Sequence, residues 1–125
     1  MHYGGGELCS CIRNGLMLAV NRRIPYVDKA VRVGQWPKAE MRAQCYMLRG
    51  KTIGLVGIGN IAKQVAKRLS GFDVKEIVYY DIFRLSEEKE QELHVRYVPL
   101  DELMAVSDVI SIHVPLTDET RGMIS

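Results

Sequence analysis

From residue 7 the apolar positions Leu8, Ile12, Leu16 and Val20 recur every fourth residue, which marks one face of a helix. Pro25 interrupts the run, and the spacing resumes through Val27 and Val31 before Gly34. This pattern predicts a long N-terminal helix over residues 7–34 that kinks or restarts at the proline, preceded by a flexible glycine-rich lead-in over residues 1–6. Residues 35–49 keep no period and read as a loop or short helix, with Trp36 as a packing anchor. The period then changes. Residues 52–57 form a short uncharged run with the composition of a strand buried on both faces. Ile61, Ala62, Val65, Ala66 and Leu69 next share one helical face, opposite Lys63, Gln64, Lys67 and Arg68. Further strands are expected at 76–80, 95–98 and 108–114, separated by a charged helical segment at 86–92, read as a solvated face, and a brief helix at 101–106.

Four strands alternating with helical segments specify an α/β fold, a doubly wound parallel sheet of the Rossmann type. In the common order these are strands three, two, one and four, with the last two absent, so the sheet reads as incomplete. The fourth strand would lie at an open apolar edge, which natural domains normally cover. The expectation is therefore a piece of a larger protein, or one that pairs with a second copy.

Composition narrows the class. The chain has 125 residues, 47% hydrophobic and 26% charged, the balance of one soluble globular domain, which excludes disorder, collagen and coiled coil. Seventeen basic and 15 acidic residues are scattered to a net charge of +2, so nothing indicates nucleic acid or an anionic membrane as partner. No apolar run approaches the ~18 residues of a membrane span. The three cysteines, Cys9, Cys11 and Cys45, are an odd number with two of them one residue apart, which fits a reduced, cytoplasmic setting. Cys9 and Cys11 lack the further ligands of a zinc site, and no metal is expected.

The candidate chemistry sits where the first strand meets the next helix. Gly57, Ile58, Gly59, Asn60, Ile61 and Ala62 follow a strand and open a helix, the context that makes this short pattern a dinucleotide fingerprint. Gly57 would permit the tight turn, Gly59 the approach of backbone to a pyrophosphate, and Ala62 would stand for the third glycine at the helix–strand contact. Amides near Asn60 and Ile61 would face the phosphates from the helix N-terminus. Asp81, 19 positions after Ala62 at the end of the second strand, can accept both hydroxyls of the adenosine ribose and repel a 2′-phosphate, so the expected cofactor is NAD. Arg84 could instead meet that phosphate, which keeps NADP as an alternative. At the switch point between the first and fourth strands, Pro115 ends the strand. Thr117 or Thr120 could offer a hydroxyl to the cofactor or cap a helix over residues 118–123.

Of the three histidines, His2 lies in the lead-in and His94 in a charged surface region. His113, at the end of the fourth strand, is the only one near the expected chemistry. No acidic residue close in sequence is placed to orient it, and a structural role is the better reading.

Residues 48–62, together with 100–103 and 107–124, resemble the D-isomer-specific 2-hydroxyacid dehydrogenases, and the likeness extends back through residues 16–24 and 30–36. The resemblance implies the cofactor domain of such an enzyme. It implies NAD contacts at Asn60 and Ile61, at Asp81, and at Val114, Pro115 and Thr120. Asn60 stands where many relatives have arginine and Ala62 where most have glycine. It also implies a homodimer, and a parent protein that moves hydride between NAD and a small 2-hydroxy or 2-keto acid. The arginine, glutamate and histidine that would catalyse this lie outside the chain, so no catalytic residue is expected within it, and the substrate domain is expected to be absent. Two other readings stand beside this one: an NAD-sensing interaction module like the C-terminal-binding-protein corepressors, and a structural oligomerisation piece.

Overall fold

The computed structural model describes residues 5–124. Its elements run α1 (Gly5–Asn21), α2 (Ile24–Arg32), α3 (Lys38–Gln44), β1 (Thr52–Val56), α4 (Asn60–Leu69), β2 (Glu76–Tyr80), α5 (Glu87–Leu93), β3 (Val95–Tyr97), α6 (Leu100–Val106) and β4 (Val109–Ile112). All strand pairs are parallel and the order is β3-β2-β1-β4, as the alternation of strand and helix predicts. The register sets Ile53 beside Ile77 and Val109, and Val56 beside Tyr80 and Ile112.

Central position explains why β1 is uncharged: all five of its residues are buried. Its alternating side chains feed two cores. Ile53 and Leu55 join Val65, Ala66 and Leu69 of α4 with Tyr79 of β2, whereas Val56 meets Val78, Val98 and Leu103 on the opposite face. Gly54 also points to that second face. A Cβ there would collide with Ser107 Oγ and lie 2.9 Å from Leu103 Cδ2, so the absence of a side chain lets α6 lie against the sheet. On α4 the buried set is Ala62, Val65, Ala66 and Leu69, the predicted helical face.

In the N-terminal region the expected restart at the proline is found, and other features depart from expectation. The helix is two helices, and the break is at Arg22 and Arg23, with Arg23 left-handed at φ 51°. Pro25 falls in the first turn of α2, where its missing N–H costs nothing, so of the two expected outcomes the helix restarts at the proline and does not kink. Gly5 and Gly6 already belong to α1, while residues 1–4 of the expected lead-in lie outside the described residues. Most tellingly, the face marked by periodicity is on the outside: Leu8, Ile12, Leu16 and Val20 are 56–76% exposed. What α1 presents to the body of the domain is Ser10, Asn14 and Met17, all buried, and it packs chiefly on α4. Periodicity identifies an apolar face but not what covers it.

Trp36 is 79% exposed and anchors nothing. With Ile24, Val27, Val31, Met41 and Met47 it lines an apolar cleft of about 860 Å³ between α2 and α3. Residues 118–123 form successive turns, not the helix considered from sequence, with Arg121 N donating to Thr117 O and Met123 N to Thr120 O. Among the described residues no helix is long and apolar enough to cross a membrane, and no cluster of three His, Cys, Asp or Glu could hold a metal ion.

Candidate dinucleotide site

The carboxyl ends of β1, β2 and β4 converge on Gly57. Its amide donates to Tyr80 O at 2.8 Å, and its φ of 95° is one that glycine alone adopts without strain. A Cβ would lie 3.0 Å from Val114 Cγ1 and 3.1 Å from the carbonyl carbon of His113. The turn out of β1 thus needs this glycine twice, for its dihedral and for the close passage of the chain leaving β4.

Gly59 is different. Its backbone is extended, at φ −72° and ψ −170°, and a Cβ would meet nothing within 4 Å. Neither conformation nor packing within the chain requires a glycine, so what its missing side chain preserves is open space outside the loop. That space borders the start of α4. The first helical bond there runs from Lys63 N to Gly59 O at 3.0 Å. The amides of Asn60, Ile61 and Ala62 have no acceptor among the described residues. Three unspent donors at the positive end of a ten-residue helix, beside a gap where a side chain would otherwise be, fit a pyrophosphate. Ala62, fully buried, keeps α4 close to β1 as the third small residue of the pattern.

Asp81, just past β2, is tied to this loop. Its Oδ2 accepts from Ile58 N at 2.8 Å and its Oδ1 from Phe83 N at 3.2 Å. Each oxygen keeps a lone pair, enough for a pair of hydroxyls, and the charge disfavours a phosphate there. Of the remaining predicted residues, Val114 touches the loop at Gly57, whereas Pro115 and Thr120 belong to a turn closed on itself. Thr120 Oγ1 donates to Pro115 O at 2.6 Å and accepts from Thr117 N at 2.8 Å, so this hydroxyl shapes the turn.

His113 lies half-buried just past the end of β4. Its Nε2 lies 2.8 Å from Ser111 Oγ, its Nδ1 is buried without a partner among the described residues, and Arg13 Nη1 donates to the neighbouring Ile112 O at 2.6 Å. Burial first, and then the Arg13 charge, push its pKa down to about 4 from 6.5. Between those two pH values the unfolded chain binds a proton that the native chain refuses, so this histidine's contribution to stability is complete above about 6.5 and declines as pH falls toward 4. Replacing it by glutamine is expected to flatten the dependence of urea-unfolding midpoints on pH over that window.

One residue that sequence reasoning passed over shapes the loop after β2. Glu90, assigned to a solvated run, is buried. It accepts from Tyr79 Oη at 2.6 Å and from Arg84 Nε at 2.9 Å. Nothing in the run over 86–92 distinguishes it from its charged neighbours; only its turn toward β2 does. Arg84, considered as a phosphate ligand, is occupied by this pair.

A strand, glycine turn and helix with a carboxylate at the end of the adjoining strand define a dinucleotide-binding α/β domain. The family model described as D-isomer specific 2-hydroxyacid dehydrogenase, NAD binding domain, matches residues 14–125, and the chain belongs to that family. Its cofactor is NAD. The chain is 50% identical over 113 residues to a glyoxylate reductase of Thermofilum pendens, covering 89% of the chain and 33% of that protein. It is 44% identical over 111 residues to a hydroxypyruvate reductase of Thermotoga maritima, covering 89% and 34%. Among solved structures, the apo D-mandelate dehydrogenase of Rhodotorula graminis superposes with a TM-score of 0.88 at 31% identity, over 97% of this chain and 37% of that one. The chain thus spans about a third of the length of the curated relatives it matches.

Proposed function

We propose that the chain holds NAD across the carboxyl ends of β1, β2 and β4, with the pyrophosphate against Gly59, Asn60 and Ile61 and the adenosine ribose on Asp81. Gly57 shapes the turn, while Val114, Pro115 and Thr120 border the dinucleotide on its far side. The observation that carries this reading is the open space at Gly59 beside three free amides, closed on one flank by an aspartate anchored to the same loop. When bound, NAD supplies a hydride acceptor. This chain's residues bind and orient it.

In this reading residues 7–125 are part of the cofactor domain, with the glycine loop and strands in 51–125, and a separate substrate domain completes the enzyme. The whole protein then oxidises a small 2-hydroxy acid, or reduces the 2-keto acid, using NAD. The relatives, a glyoxylate reductase and a hydroxypyruvate reductase among them, support an enzyme over a corepressor-like module or a purely structural piece. The exposed apolar face of α1 supports a homodimer, which sedimentation velocity would detect as twice the chain mass. Three free thiols support a cytoplasmic location, to be checked by cell fractionation.

The test is a fluorescence titration with NADH, repeated with Asp81→Ala. Loss of the ribose contacts should weaken NADH by about tenfold to a hundredfold, the worth of one or two hydrogen bonds to a charged group. Unchanged affinity in the variant would remove Asp81 from the site.

A further inference from the structure

The loop from Asp81 to Ser86 contains one cation, Arg84, three residues beyond the carboxylate assigned to the ribose. A cation on this loop is the feature that would welcome a 2′-phosphate. The structure gives it another task. Arg84 Nε donates to Glu90 Oε1 at 2.9 Å and Nη2 to Glu90 Oε2 at 3.4 Å, so one edge of the guanidinium meets the carboxylate side-on. Its Cζ lies 5.3 Å from the centre of the Tyr97 ring, which stands edge-on to Tyr79.

Glu90 is itself fixed from below. Tyr79, fully buried, donates its hydroxyl to Oε1 at 2.6 Å and accepts from Leu85 N at 2.9 Å, which draws the end of the loop down onto β2. The Tyr79 hydroxyl is pushed up to about 12, by burial first and the Glu90 bond second, and therefore stays a donor at neutral pH. Hydrogen bonds from Arg84, and then from Tyr79, hold the Glu90 carboxyl below its ordinary value. If Arg84 swung away, a nearly buried carboxylate would lose its counter-charge, which is strongly unfavourable.

We propose that Glu90 sets the choice between the two dinucleotides by withholding Arg84 from the 2′ position of the adenosine ribose. The proposal rests on the assignment of that ribose to Asp81. Discrimination then has two sources: Asp81 repels a 2′-phosphate, and Glu90 denies it the nearest cation. Glu90 touches neither substrate nor cofactor and acts through Arg84 as a positioning residue.

The test compares NADH and NADPH affinities in the full chain and three variants. Glu90→Gln keeps an acceptor for Tyr79 and removes the charge that holds Arg84. It should shift the NADPH-to-NADH affinity ratio by about tenfold toward NADPH, and adding Arg84→Met should reverse the shift. Arg84→Met alone should leave NADPH binding as it is, which reads the proposal independently of any Glu90 variant. Parallel weakening of both dinucleotides in Glu90→Gln would show that Glu90 only supports the loop, and loss of NADPH affinity in Arg84→Met alone would show that Arg84 already reaches the phosphate. Either result overturns the proposal. If Asp81→Ala leaves NADH affinity intact, the ribose assignment fails and the proposal with it. If Asp81→Ala weakens NADH while Glu90→Gln leaves the ratio unchanged, the proposal alone fails.

Discussion

Gly59→Ala should weaken NADH binding by roughly tenfold to a hundredfold while leaving the chain folded. A methyl group there meets no atom of the described residues within 4 Å, so no packing among them is disturbed. The change at the first residue of the α4 cap costs under about 1 kcal/mol, because glycine is a better cap than alanine and no side-chain cap bond exists to lose. What the methyl does occupy is the space from which the amides of Asn60 and Ile61 are approached. Calorimetric titration with NADH, beside a urea unfolding curve of the same variant, separates the two effects. A large loss of stability with unchanged affinity would show that Gly59 serves the fold.

Gly54→Ala should do the reverse, destabilising the chain by about 2 kcal/mol and lowering Tm by roughly 8 °C. The new Cβ would overlap Ser107 Oγ and press on Leu103, both at the contact of α6 with the sheet. Ser107 Oγ is buried without a partner among the described residues, so adding Ser107→Ala removes the nearest clash without breaking a described bond and should recover part of the loss. Its Cβ at 3.0 Å and Leu103 at 2.9 Å remain, which makes the recovery partial. Thermal unfolding of the single and double variants measures both. A Gly54→Ala chain as stable as the parent would mean that α6 does not lie as close to β1 as described.

These glycines show how far sequence carries. Strand order and the four strands follow from short apolar runs alternating with helical spacing, because a buried parallel sheet demands both. The dinucleotide loop is legible because strand, glycines, helix and Asp81 are close in sequence. Three kinds of feature escaped. Leu8, Ile12, Leu16 and Val20 are periodic yet exposed, since amphipathicity records that a face is covered by something and is silent about whether this domain covers it. Trp36 was expected to pack because large aromatics usually do, but it stays 79% exposed at the edge of the α2–α3 cleft. Glu90 looked like its neighbours because its role depends on Tyr79, eleven residues away on a strand, and on how the intervening loop folds. Local pattern reports local structure; partners brought together by the sheet must be seen.

The proposed NAD site lies on the glycine loop. The most direct measurement is an amide NMR titration of the isotopically labelled chain with NADH. Saturable shifts of the Gly57, Gly59, Asn60, Ile61 and Asp81 amides are expected, with the α2–α3 cleft around Val27 and Met41 unaffected. Saturable shifts confined to that cleft, or none at the loop at NADH concentrations that saturate the fluorescence change, would contradict it.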